Sequence, residues 1–305
     1  MWILYAFLSA LLLGFYDVSK KKSLRDNAVI PVLLLNTLFS SLLFLPLIIL
    51  SSTGVIQSDN IFHASSYGIE GHLYILLKSV IVLSSWIFGY FGIKNLPITI
   101  VGPINATRPV MVLLGALLLF GERLNLYQWI GVIIAMLGLY LLSLGGKREG
   151  YSFGHNKWII FVLISNILGA LSGLYDKYLM ASPSNGGLGL DKITVQSWFN
   201  IYQFIMMLAV LLLLWYPHRK KSTSFRWDWS IILISIFLSV ADFLYFYSLS
   251  LDGSMISVVS MIRRGSVVVS FICGALLFKE KHLKYKLVDL GLVLLSMVFL
   301  YLGSR

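Results

Sequence analysis

Charge is scarce in this chain of 305 residues: Asp, Glu, Lys and Arg together make up 12%, about half the share found in soluble domains. Cysteine is scarcer still. Cys273 stands alone inside an apolar run, which excludes an internal disulfide, a thiolate zinc site and a haem-attachment motif. The histidines at 63, 72, 155, 218 and 282 lie near loop ends without ligand spacing, so neither a metal nor a cofactor is expected. Paired catalytic acids, an HExxH helix and a glycine-rich phosphate loop are missing too, which argues against an enzyme and against ATP-driven work by this chain. No segment alternates like a barrel strand.

What abounds is apolar surface. Hydrophobic residues make up 58% of the chain, a composition of the membrane class. The net charge of +11 is scattered between apolar runs instead of forming one basic domain, so it is read as orientation in a bilayer and not as nucleic-acid binding. Ten stretches approach the roughly 20 residues needed to cross a hydrocarbon core of about 30 Å. They fall near 2–19, 29–50, 73–93, 98–120, 126–145, 158–180, 195–216, 229–251, 254–278 and 287–303. The first has no positive leader and no small-residue cleavage site, and is expected to be a retained helix. Helices are required because lipid cannot satisfy an exposed backbone.

Basic residues set the orientation. Alternate loops place sixteen Lys and Arg, within 20–25, 94, 147–157, 219–226 and 279–286, on one side, against Arg123, Lys192 and Arg305 on the other. Positive loops stay cytoplasmic, so both termini are expected outside a cytoplasmic membrane, that of a bacterium.

The two halves echo each other. Gly115-Ala-Leu-Leu-Leu-Phe-Gly-Glu122 returns as Gly274-Ala-Leu-Leu-Phe-Lys-Glu280, and Tyr16-Asp17 returns as Tyr175-Asp176. Gly131 matches Gly291 and Tyr140 matches Tyr301, all at offsets of 158–161 residues. Each unit holds five helices, an odd number, so the second must enter the membrane the other way. The expected fold is therefore an all-α integral membrane protein of ten transmembrane helices in two inverted five-helix repeats, 1–146 and 157–305. Such repeats characterise secondary transporters, with the cargo near the midplane.

Two segments carry a family resemblance: 109–124 (PVMVLLGALLLFGERL) and 266–283 (SVVVSFICGALLFKEKHL). With the five-plus-five arrangement, they resemble the drug/metabolite transporter superfamily, EamA type. The resemblance implies a transporter without ATP hydrolysis and leaves cargo open, since members move amino acids, sugars, sugar phosphates or nucleotide sugars. Many relatives place their termini inside; the basic loops here say otherwise.

Charges at membrane depth cost about 2.5–3.5 kcal/mol each on insertion scales, so each one needs a reason. Arg108 sits in helix 4 between Pro103 and Pro109, with Asn105 three residues away on the same face. Arg263 and Arg264 lie in helix 9, the repeat mate of helix 4, after Ser257 and Ser260. In the superfamily's plastid sugar-phosphate translocators a Lys-Arg pair near this place holds the phosphate, and their helix-4 lysine falls near Asn105. The resemblance thus implies a cargo with an anionic or carboxylate group. Arg108, Asn105, Arg263, Arg264, Ser260 and the aromatic Tyr245 are the substrate-binding candidates. Asp17, Asp176 and Asp242 are candidates for gating or proton coupling, Asp242 sharing a face with Ser235 and Ser239. The alternative for every charge is structural pairing of arginine with aspartate, and Lys78 reads as snorkelling to the outer interface. Gln196, Asn200 and Gln203 form one polar face of helix 7, suited to joining helices. The expected partners are a small-molecule substrate and the bilayer, in a monomer or homodimer. The rival function is a lipid flippase or an intramembrane enzyme acting on a phosphate-bearing head group.

Overall fold

The computed structural model describes residues 2–108, 110–112, 114, 125–148, 156–180, 183, 187–250, 262–277 and 283–303, and no strand occurs among them. The helices are α1 (Trp2–Ser23), α2 (Val29–Ser52), α3 (Ile69–Asn95), α4 (Ile98–Ala106), α5 (Leu126–Arg148), α6 (Lys157–Met180), α7 (Lys192–Val210), α8 (Ser230–Ser250), α9 (Ser266–Leu277) and α10 (Leu283–Gly303). Five apolar stretches, Ile3–Ser23, Val29–Ser52, Ile69–Asn95, Lys157–Met180 and Lys192–Trp215, are long enough to cross a membrane.

Local chemistry fixes several ends. Asp191 caps α7 by accepting the Thr194 N–H at 2.8 Å. Lys21, from the last turn of α1, donates to the carbonyls of Ile93 and Leu96, at 2.6 and 2.5 Å, where α3 ends.

One expected feature is corrected. The stretch 98–120 is not continuous: α4 stops at Ala106, Thr107 is a turn, and helix resumes at Arg108. The cause is chemical, because Pro109 has no N–H to donate to Asn105 and Thr107 folds back to donate its N–H to Ile104 at 3.2 Å. The repeat-mate stretch is interrupted at a corresponding place. Residues 262–264 are helical, Gly265 is a turn, and α9 begins at Ser266. Broken helices are tolerated at membrane depth only where protein or a cavity faces the break.

Packing is pairwise: α1 lies on α8, α3 on α6, α2 on α7, α5 on α10, and α4 against α9. The largest core gathers Leu33, Ile98, Ile100, Ile104, Val162 and Ile234, so α4 is wedged at the centre. Outside, Leu213 and Leu276 are each 72% exposed, a belt that water would penalise and lipid would not. The connections at one end are stitched together. Lys94 donates to the Thr223 hydroxyl at 2.9 Å, while Asn27 exchanges hydrogen bonds with the Arg226 backbone at 2.7 and 2.8 Å. Stretches 20–28, 93–97 and 217–229, three of the basic ones, therefore share that end.

Candidate functional site

A cavity of about 630 Å³ opens between the helices, with walls from α1, α3, α4, α5, α6, α7, α8, α9 and α10. Among the described residues its charged lining consists of five cations, Lys20, Lys78, Arg108, Arg263 and Arg264, and three anions, Asp17, Asp176 and Asp242. Asn105 and Tyr245 line it as well. Eight of the nine residues singled out from the sequence are thus brought around one space; Ser260 lies outside the described residues.

Each aspartate has a cation. Lys20 pairs with Asp17 at 2.8 Å, one turn along α1, and its ammonium lies over the Tyr16 ring at 4.2 Å. Ser270 of α9 donates to the other Asp17 oxygen at 3.4 Å, so this pair ties α1 to α9. Lys78 of α3 pairs with Asp176 of α6 and sits 5.0 Å from the Phe199 ring of α7. Arg263 pairs with Asp242 of α8 and stacks over Tyr245 at 4.3 Å.

Three sequence readings change here. Lys20, counted among the loop cations, belongs to α1 and to the cavity wall. Lys78 does not snorkel: it is 5% exposed, because the Asp176 carboxylate across the helix interface gives its charge a partner inside the protein. Among the described residues the polar face of α7 does not join helices through its side chains: the Asn200 amide donates to the Gln196 carbonyl of the same helix at 2.8 Å, the bond from Ser41 of α2 goes to the Asn200 backbone carbonyl at 2.8 Å, and Gln196 lines the cavity wall.

Arg108 and Arg264 remain. Neither has a carboxylate partner among the described residues. The Arg108 Nε donates at 3.0 Å to Asn166 of α6, a fully buried side chain. Gly169, one turn further along α6, makes room for the guanidinium: a Cβ there would stand 2.6 Å from Nη1 and 2.7 Å from Nη2. Asn166 and Gly169 were not singled out from the sequence. A signal existed, since Asn166, Gly169, Gly173 and Asp176 recur at three- and four-residue spacing, one small-and-polar stripe on a single helix face. Lys20 was equally legible as the i+3 partner of Asp17.

Comparison with known proteins fits this geometry. The EamA-like transporter family matches residues 1–144 and again 156–302. The chain belongs to the EamA-like transporter family. This EamA-like chain is also 23% identical, over 98% of both sequences, to a protein of Archaeoglobus fulgidus described as an uncharacterized transporter. A solved crystal structure is similar over 99% of this chain and 98% of its own, with a TM-score of 0.64 at 12% identity, a likeness of fold alone. The protein is a membrane transporter by family, and no enzyme is indicated by either match.

Proposed function

We propose that this EamA-like protein is a secondary transporter of a small polar metabolite with an anionic group, working by alternating access between two inverted five-helix units, 1–146 and 157–305. The observation that carries the anionic reading is the charge balance of the cavity. Among the described residues three lysine or arginine side chains are matched by three aspartates, which leaves the Arg108 and Arg264 guanidinium groups as surplus charge. Guanidinium forks suit carboxylate and phosphate oxygens, and in a space of low dielectric two unmatched cations attract an anion strongly.

The packing supports the inverted repeat. Exchanging helices 1–5 for 6–10 turns the α1–α8 contact into the α6–α3 contact, and maps α2–α7, α4–α9 and α5–α10 onto themselves. Asp17 and Asp176, at matching places in the two units, then stand towards opposite ends of the cavity. Their lysine pairs, Asp17–Lys20 and Lys78–Asp176, serve as gates that break one at a time, and Asp242 couples the cycle to a proton or to the Arg263 contact. Both termini face outward.

The test joins ligand discovery to mutation. Purified protein is screened for thermal stabilisation across metabolite classes, since a ligand at 100 times its Kd stabilises by about 2.7 kcal/mol. Uptake of the best ligand into proteoliposomes is then measured for Arg108→Gln, Arg263→Gln and Arg264→Gln. Loss of uptake in Arg108→Gln and Arg264→Gln with unchanged melting supports binding. If every loss of uptake tracks a loss of folded protein, the arginines are structural and the proposal fails.

A further inference from the structure

The three arginines of the cavity are held in different ways. Arg263 is committed: it donates to Asp242 and its guanidinium covers the Tyr245 ring. Arg108 is held by its Nε alone, through the 3.0 Å bond to the Asn166 amide oxygen. The orientation of that amide is fixed from its other end. Its Nδ2 donates to the Ile104 carbonyl at 2.8 Å and to the Thr107 hydroxyl at 3.1 Å. The Ile104 carbonyl can only accept, and the Arg108 Nε can only donate, so a flipped amide would lose both partners. These contacts fall on the α4 break itself, where Thr107 also donates its hydroxyl to Ile104 at 2.7 Å. One turn along α6 the bare Gly169 backbone lets the guanidinium lie against the helix: a Cβ there would collide with Cζ, so an alanine would close that room.

We infer that Asn166 and Gly169 are positioning residues that hold Arg108 as a fixed two-pronged donor, and that Arg108, rather than Arg263, grips the anionic group. This rests on the proposed reading of the cavity as an anion site. The Nε anchor spends the one guanidinium nitrogen that cannot join the outer fork and leaves Nη1 and Nη2 as parallel donors. Such a fork matches two oxygens on one centre, as in a carboxylate or a phosphoryl group, and gives a spherical halide no comparable grip. Fixing the side chain beforehand removes the rotamer cost that a free arginine bears on binding. Because Asn166 also clasps the helix break, the direction of the fork is tied to the geometry of α4, so a change at the break would turn the fork.

The experiment uses the full chain in detergent, with acetate, inorganic phosphate and chloride as probes at matched ionic strength. Affinity is read from thermal stabilisation. Phenylglyoxal, which reacts with unpaired guanidinium groups, is mapped by peptide mass spectrometry. In the unaltered protein Arg108 is modified, Arg263 is spared, and acetate or phosphate protects Arg108 where chloride does not. Gly169→Ala and Asn166→Leu lower the affinity for acetate or phosphate by roughly 10- to 100-fold, the scale of an ångström of misplacement, with melting temperatures close to the parent. Arg108→Lys weakens binding in the parent but adds little on the Asn166→Leu background, a coupling that a structural role would not produce. Should Asn166→Leu fail to fold, Asn166→Asp serves: its carboxylate neutralises Arg108 in place, and anion binding is lost from a folded protein. If Arg108→Gln and Arg264→Gln abolish binding while Gly169→Ala and Asn166→Leu bind within twofold of the parent, the anion site stands and the positioning role is wrong. If Arg108→Gln and Arg264→Gln bind like the parent, or the parent responds to no anion, the reading of the cavity fails first. Protection of Arg263 in place of Arg108 overturns the division of labour.

Discussion

At the scale of single residues, pairing separates the charges that hold the bundle together from those left for a ligand. Lys78 is an example of the first kind. Replacing it with Met strands Asp176 between α3 and α6, and breaking a buried pair from one side costs about 3–5 kcal/mol. The loss here falls at the lower end or below it, because the Asp176 side chain keeps 23% exposure and water still reaches it. The double replacement Lys78→Met with Asp176→Asn removes both charges and recovers most of the stability. Melting curves of the single and the double variant decide the matter; a double variant as unstable as the single one would mean that the pair contributes more than mutual neutralisation. The sequence already made these sites legible, since a charge in an apolar run of 20 residues is conspicuous. What it could not convey was the pairing. Asp176 and Lys78 are 98 positions apart, and only the packing of α3 on α6 brings them together. Asn166 and Gly169 are legible only as part of a small-and-polar stripe on one helix face; that the stripe receives an arginine follows only from the packing of Arg108 against α6.

At the scale of elements, the helices were legible from hydropathy and their interruptions only in part. The prolines flanking Arg108 announced a weak point in helix 4, but Gly265 looks like any of the 25 glycines until the chain is seen to turn there. Glycine pairs that match in sequence also differ in space. A Cβ on Gly131 of α5 would press on the Leu300 side chain at 2.9 Å and the Ser296 carbonyl at 3.0 Å, both on α10; one on Gly291 would meet nothing within 4 Å. Gly131→Ala is therefore expected to push α5 from α10 and lower stability by about 1–3 kcal/mol, while Gly291→Ala leaves it unchanged or slightly raised. Equal effects of the two substitutions on the melting temperature would contradict the packing. A separate expectation concerns the entry to α8. Asp228 accepts the Ser230 hydroxyl and, at 2.7 Å, the Ser230 N–H. The hydroxyl bond, more than the backbone bond or nearby Lys22, holds this carboxyl below its usual range against a smaller desolvation effect. A depressed folded-state pKa means that the contribution to stability is complete above the ordinary carboxylate range and disappears as pH falls through the depressed value. Asp228→Asn should flatten that acid limb of the stability profile and lower stability at neutral pH by the amount the unaltered protein loses across the limb.

Across the bundle as a whole, charge distinguishes the end that faces the cytoplasm from the end that does not. The sequence supplied the charge asymmetry, and the structure adds that three of the basic connections, 20–28, 93–97 and 217–229, occupy one physical end. Lys94 reaches Thr223, Asn27 holds Arg226, and Lys21 closes the end of α3. The opposite end is sewn by neutral contacts, with the Ser65 N–H donating to Thr194 at 2.7 Å, the Asp191 N–H to the Tyr67 hydroxyl at 2.7 Å, and Asn125 to the Gly303 carbonyl at 2.6 Å. Moving Lys20 from the loops to the cavity wall does not disturb this contrast, because Lys21, Lys22 and Arg25 remain beside it. Lys and Arg resist translocation when they lie close to the ends of spans, and none of the connections here is long enough to cross regardless of charge. The basic end is therefore expected in the cytoplasm and both termini outside. A reporter fused after Arg305 that works only in the cytoplasm should be silent, and a periplasmic reporter at the same place active. Replacing Lys21, Lys22 and Arg25 by neutral residues should shift part of the population to the reverse orientation, because the first basic loop usually dominates insertion. A strong cytoplasmic signal from the unaltered chain would invert the assignment and, with it, which of the Asp17 and Asp176 pairs closes the cavity towards the cell interior.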